Sequence, residues 1–260
     1  MKINIEYNEA EYHIDSNDGI DISIPVTFNE DKNPKFYDIS NPQKKYYQVD
    51  DTEYDIKKGA GCSVPMVHMN IHCSGTHTET ANHIIKNAPL ISDIDNLNFI
   101  PSQLISVTPE LNSDERYHAN YDKNDGVITR RQLEKLITPN IFLDAIIIRT
   151  NPNDNDKKIR NYNLDHHPYL STDAIKYLKN SGVKHIVIDT PSIDKFNDGG
   201  KLGNHRIFFT NSNQLINKNT ITELAFIPNE YLDGKYFLCI GVPNFKLDVA
   251  PSKPIIYKIK

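Results

Sequence analysis

The chain has 260 residues, enough for one large domain or two small ones, and 38% hydrophobic against 24% charged residues is an ordinary globular balance. A net charge of −5 without any Lys/Arg cluster gives nucleic-acid binding no electrostatic support. Three widely spaced cysteines, Cys62, Cys73 and Cys239, argue against a disulfide framework, and no apolar run reaches the length of a membrane span. The opening MKINIEYNEAEYHID lacks the apolar stretch of a secretory signal, so a cytoplasmic location is expected.

Strand patterns dominate the chain. Residues 3–7 and 11–14 alternate around Asn8 and Glu9, as a hairpin would. Residues 21–26 read as a short apolar strand and 64–72 as another. Further strands are expected at 104–107, 145–149, 183–189 and 206–210. The runs at 145 and 183 are continuously apolar, which suits strands covered on both faces. A helix is expected over 129–137, where Thr129 and Gln132 form a capping-box pattern. A second spans 171–180, with Ala174, Ile175 and Leu178 at helical spacing and Gly182 beyond its end. Segments 151–165 and 196–204 are polar and read as surface loops. No repeat or linker interrupts the chain, so one mixed α/β domain over residues 1–260 is the economical reading.

The densest cluster of donor groups lies at residues 72–83, His-Cys-Ser-Gly-Thr-His-Thr-Glu-Thr-Ala-Asn-His. Cys73, His77, Glu79 and His83 share parity, so a strand would turn the first three to one side. If the chain becomes helical near Thr80, Glu79 and His83 stay neighbours at i and i+4. Several donors converging on one point is what a metal site requires. His72 has the opposite parity and a regular strand aims it away, unless a bulge intervenes. Cys73 reads equally as a thiolate ligand and as a small buried hydrophobe. Gly75 leaves room for close approach of another backbone or serves as a bulge glycine. His13, His68, His118 and His185 read as surface or core histidines. Asp189, Ser192 and Asp194 follow an apolar strand, where α/β proteins place functional groups; for Asp194 a capping role is the simpler reading.

Gly75-Thr76-His77-x-Glu79-x-x-x-His83 resembles the signature His-x-Gly-Thr-His-x-Asp-x-Pro-x-His of the metal-dependent cyclase family, which includes bacterial kynurenine formamidase and isatin hydrolase. The resemblance extends along the chain, from Asp21-Ile-Ser-Ile-Pro25 through His185-Ile-Val-Ile-Asp-Thr-Pro-Ser-Ile-Asp194 and Asn204-His205-Arg206. It continues with Thr220-Ile-Thr-Glu223-Leu and Pro251-Ser252-Lys253-Pro254. It implies a swivelling β/β/α fold binding one or two divalent metals, zinc by preference and manganese as the alternative. It further implies Cys73 and His77 as ligands of a first metal, Glu79 as a ligand able to bridge two metals, His205 as a ligand of the second, Glu223 as a further ligand, and His83 as proton donor and acceptor. Three positions depart from the signature: Cys73 replaces its first histidine, Glu79 its aspartate and Ala81 its proline. The interval from His205 to Glu223 is long for the family, consistent with an insertion at 211–219.

The function so implied is hydrolysis of an amide-type C–N bond in a small molecule by metal-activated water, as in an arylformamidase, by a homo-oligomer. Phe36 and Tyr37 are candidates for an aromatic wall over the substrate, or for core packing, and Ser192 for a substrate contact. The alternative from another class is a catalytically silent metal- or ligand-binding member of the fold. A cysteine nucleophile at Cys73, with His77 or His83 as its base, is a third possibility.

Overall fold

Strands that are apolar on both faces take the middle of a sheet, and here they order a sheet of nine. The computed structural model describes residues 1–138, 142–164, 166–211 and 215–260. In chain order the nine strands are β1 (Ile20–Asp21), β2 (His77–Glu79), β3 (Ile100–Val107), β4 (Ala145–Thr150), β5 (His185–Ile188), β6 (Thr220–Glu223), β7 (Gly234–Gly241), β8 (Val249–Pro251) and β9 (Lys253–Lys258). They lie in the order β8-β2-β6-β5-β4-β3-β7-β9-β1. The central strands β3, β4, β5 and β6 run parallel, and the flanking strands are antiparallel.

Alternation along the buried strands feeds two cores. Ile146 and Ile148 of β4 and Ile186 and Ile188 of β5 face helices α1 (Arg130–Leu136), α2 (Thr172–Asn180) and α3 (Gly203–Phe209), meeting Leu133, Ile175, Leu178, Phe208 and Phe209. Ala145, Ile147 and Val187 point the other way, toward Leu104, Leu238, Ile240 and Ile256. The fold is thus a mixed α/β sheet with few helices, as expected.

The two expected helices form one residue shorter at their starts, because Thr129 and Ser171 serve as N-caps. The Thr129 side chain accepts from the Gln132 amide while the Gln132 carbonyl oxygen accepts from the Thr129 amide, a reciprocal box. The hairpin pairs Lys2–Tyr7 with Ala10–Asp15, and Asn8 and Glu9 both take positive φ, the turn that matches strand twist.

Four expectations are corrected. The strand at 21–26 reaches only Ile20–Asp21, with an isolated bridge from Ser23 to Ala225 beyond it. The strand at 206–210 is α3 instead: the Asp194 carboxylate accepts from the Asn204 and His205 amides and so caps its first turn from outside the helix. The strand at 64–72 stops at His68. Among the described residues Pro65–His68 pairs only with Gln43–Tyr46, and residues 71–75 are turn and bend. The 151–165 segment, whose residue 165 lies outside the described residues, is not simply a surface loop, since Lys157 is buried within it. Its Nζ sits 2.8 Å from Asp189 Oδ2 and also donates to Thr150 O, Thr150 Oγ1 and Asn153 Oδ1. Of the expected insertion at 211–219, residues 212–214 lie outside the described residues.

Burial pushes the Lys157 pKa down and the Asp189 pKa up, so each ion depends on the other. Truncating one partner strands the other charge. Lys157→Met should therefore cost about 3–5 kcal/mol in urea unfolding. A loss below about 1 kcal/mol would show that Asp189 needs no cation.

Candidate metal centre

The site lies beyond the carboxyl ends of the parallel strands, where Glu223 ends β6 and the loop 189–194 leaves β5. Strand β2 runs alongside, with Glu79 opposite Ile221 and His77 opposite Glu223. Its approach is pinned by Thr76, whose hydroxyl accepts from the Ile24 amide and donates to the Leu224 carbonyl. Gly75 is needed for that packing: a Cβ there would lie 2.8 Å from Val26 Cγ2. On its other edge β2 pairs with β8, Val249 opposite Glu79, which brings Asp248 to the cluster.

These elements assemble two sets of donors that share Glu79. His72, His77 and Glu79 form one, and Glu79, His205 and Glu223 the other; within each set the donor atoms lie within 4.8 Å of one another. His72 Nδ1 stands 3.2 Å from Glu79 Oε2. His205 Nε2 stands 3.0 Å from Glu79 Oε1 and 3.5 Å from Glu223 Oε1. His77 Nε2 is 3.4 Å from Glu223 Oε2. His83 sits at the edge, its Nε2 3.8 Å from Glu79 Oε2 and its Nδ1 3.3 Å from Asp248 Oδ2.

The donors fit a cation. Glu79 and Glu223 are adjacent carboxylates, 1% and 4% exposed, and buried like charges need a compensating one. Glu79 Oε1, with His205 Nε2 3.0 Å away, and His77 Nε2 are both buried with no hydrogen-bond partner among the described residues. Mixed imidazole and carboxylate donors suit zinc and manganese alike.

Electrostatics agree with this reading. Burial disfavours ionised Glu79, yet the His205 charge, helped by His72 and His83, holds its pKa well below the carboxylate range. Burial and Glu79 both work against an ionised Glu223, but His205 and His77 outweigh them. Burial opposes protonated His205, and Glu79, Asp194 and Glu223 raise its pKa well above normal nonetheless. For His72, burial is overcome by the Asp248 and Glu79 carboxylates, which carry the pKa to about 9 and favour the charged ring. Cys73 is instead held in its neutral form: burial first, then Glu223, pushes its thiol up to about 12. The site favours positive charge and disfavours a further negative one.

Of the residues singled out in the sequence, the fold brings together His77, Glu79, His83, His205 and Glu223, with Cys73 in the wall. Phe36, Tyr37, Cys73, Ser192 and Leu202 line a cavity of about 220 Å³ that opens on these donors. Phe36 is buried in a small cluster with Cys73 and Tyr162, while Tyr37 is 47% exposed and stacks on Phe196. The alternation that turns His72 away does not apply, because residues 71–75 form a turn rather than a strand. Asp248 is the residue that sequence reasoning missed, for it lies in no motif and arrives only through the pairing of β8 with β2. Asp194 does cap a helix, as expected, but its Oδ2 also accepts from His205 Nδ1 at 2.7 Å. His118 joins Asp198 at 2.8 Å behind that carboxylate, and His185 is buried against Thr220.

Comparisons with known proteins follow the same lines. Residues 20–195, more than half of the chain, match the family described as "Putative cyclase". A kynurenine formamidase of Bacillus thuringiensis subsp. konkukian (strain 97-27) is 24% identical over 206 residues, 78% of this chain and 83% of that protein. The fold is similar to that of a "predicted metal-dependent hydrolase" from Bacillus stearothermophilus, with a TM-score of 0.61 at 15% identity over 92% of this chain and 97% of that one. It is also similar to an isatin hydrolase bound to the product analogue thioisatinate, with a TM-score of 0.63 at 13% identity over 94% of each chain. The chain therefore belongs to the cyclase family.

Proposed function

We propose that the protein is a metal-dependent hydrolase that cleaves an amide-type C–N bond of a small molecule, in the manner of an arylformamidase. The observation that carries this reading is the pair of donor sets sharing Glu79, with His83 at the rim of a small cavity. The names of the relatives support the bond type, a formamidase acting on an open-chain amide and an isatin hydrolase on a cyclic one. His77, Glu79, His205 and Glu223 hold the metal, together with a donor from residues 72–73. A divalent ion bound there supplies a Lewis acid that polarises a carbonyl and makes water acidic near neutral pH.

The chain's own groups do the rest. His83 faces Glu79 through Nε2 and is oriented through Nδ1 by Asp248, so it can take a proton from the attacking water and return it to the departing nitrogen. Phe36 and Tyr37 give the small cavity an aromatic lining, and Ser192 adds a hydroxyl that can contact the substrate. The reading extends to a homo-oligomer working on a soluble substrate in the cytoplasm.

The test is a panel of aryl formamides (N-formylkynurenine first), cyclic amides and lactones, offered to full-length protein loaded with zinc or manganese. Turnover of at least one compound is expected, lost with chelator and restored by metal. Stoichiometric metal with no turnover across the panel would favour a silent metal-binding member of the family instead.

A further inference from the structure

The signature that this chain resembles places its first metal ligand at position 73. We infer that His72, not Cys73, fills that position, so that the centre is built from nitrogen and oxygen donors without a thiolate. This rests on the metal-centre reading above and goes beyond it in naming the donor set.

The first support is how the imidazoles are held. A metal-bound histidine normally gives its second ring nitrogen to a carboxylate or a backbone carbonyl, which fixes its tautomer and aims the ligating nitrogen. His77 Nδ1 donates to Gly75 O at 3.0 Å, leaving Nε2 toward Glu223. His205 Nδ1 donates to Asp194 at 2.7 Å, leaving Nε2 toward Glu79. His72 follows the same rule with its nitrogens exchanged: Nε2 donates to Asp248 at 3.0 Å, leaving Nδ1 toward Glu79. Its ring centroid lies 5.3 Å from that of His77. Three imidazoles, each tied outward, each turn one nitrogen to Glu79 or Glu223 at 3.0–3.4 Å; His83 is tied to Asp248 in the same way, but its Nε2 stops 3.8 Å from Glu79, and that distance sets it apart.

The second support is the path of the chain. The signature has one residue between its first ligand and the glycine, whereas His72 and Gly75 have two between them, Cys73 and Ser74. The turn over 71–75 takes up the extra residue. The Thr76 hydroxyl ties the chain just after Gly75 to Ile24 and Leu224, so the extra residue is taken up before it, and His72 rather than Cys73 brings a donor atom to Glu79.

The third support is the place of Cys73. It is 5% exposed and packs with Phe36, Tyr162 and Leu224, as a small hydrophobe does. It lines the cavity, but its sulfur belongs to no set of three donors among the described residues. A sulfur-free centre stays open to the harder first-row ions beside zinc, whereas a thiolate would bias it toward soft ones.

The experiment uses full-length protein loaded with cobalt(II), a spectroscopic stand-in for zinc, with metal content measured by elemental analysis. The cobalt spectrum of the unaltered chain should lack the intense near-ultraviolet band of sulfur-to-cobalt charge transfer. Cys73→Ser should keep both the visible bands and the metal content. His72→Ala should bind one equivalent more weakly by at least the roughly 10–100-fold that follows loss of an outer partner alone. A charge-transfer band abolished by Cys73→Ser, or full metal affinity in His72→Ala, would overturn the assignment while leaving the metal centre standing. If the unaltered chain takes up neither cobalt nor zinc, the metal reading falls and this inference with it. Should His72→Ala fail to fold by circular dichroism, the spectrum of the unaltered chain decides alone.

Discussion

His83→Ala is expected to retain the metal content of the unaltered protein while kcat falls by about 10²–10⁴-fold, the usual range for a positioned proton carrier. The geometry separates His83 from His77 and His205 by exposure and distance, and from the equally exposed His72, whose Nδ1 is 3.2 Å from Glu79, by distance alone. His77 and His205 are essentially buried, with ligating nitrogens 3.0–3.5 Å from the carboxylates they face, whereas the His83 side chain is 26% exposed and its Nε2 stops 3.8 Å short of Glu79. It lines both the 220 Å³ cavity and the wider groove outside it, the position a group needs if it is to reach a leaving nitrogen. His77→Ala is the contrasting case. Its loss removes a buried donor, so the metal should be lost with the activity. Elemental analysis of both variants beside steady-state kinetics makes the comparison. Metal loss in His83→Ala equal to that in His77→Ala would make His83 a ligand and leave the proton without a carrier.

The cluster at 72–83 was legible because its donors lie within twelve residues, and the central strands because Ile146–Ile148 and Ile186–Ile188 are apolar on both faces. Where reading failed, long-range structure had overridden local pattern. Residues 206–210 have a strand-like run of apolar side chains, but the Asp194 carboxylate captures the amides of Asn204 and His205 and starts a helix there. Parity misdirected His72 because alternation holds only inside a strand, and β2 begins at His77. His205 and Glu223 carry no local signal and came from family resemblance alone. Asp248 had neither, since its role depends on β8 lying against β2 across some 170 residues of sequence (176 from His72).

Glu79→Gln should be the most damaging change to metal binding, because Glu79 alone belongs to both donor sets. Its Oε2 faces His72 and its Oε1 faces His205, so one carboxylate joins the two halves of the site. Glutamine keeps the shape but removes the charge and turns one ligating oxygen into an amide that can only donate. An ion in each donor set would lose the negative charge that both sets share. Both equivalents should therefore weaken together, by more than the roughly 10–100-fold that accompanies loss of an outer-shell partner. Glu223→Gln should weaken chiefly the ion on the His205 side, because Glu223 belongs to that donor set and touches the other only through His77 Nε2. Titration with zinc or manganese, with stoichiometry read by elemental analysis, separates the two variants. If Glu79→Gln keeps one equivalent at unaltered affinity, Glu79 does not bridge and the two donor sets act as independent sites.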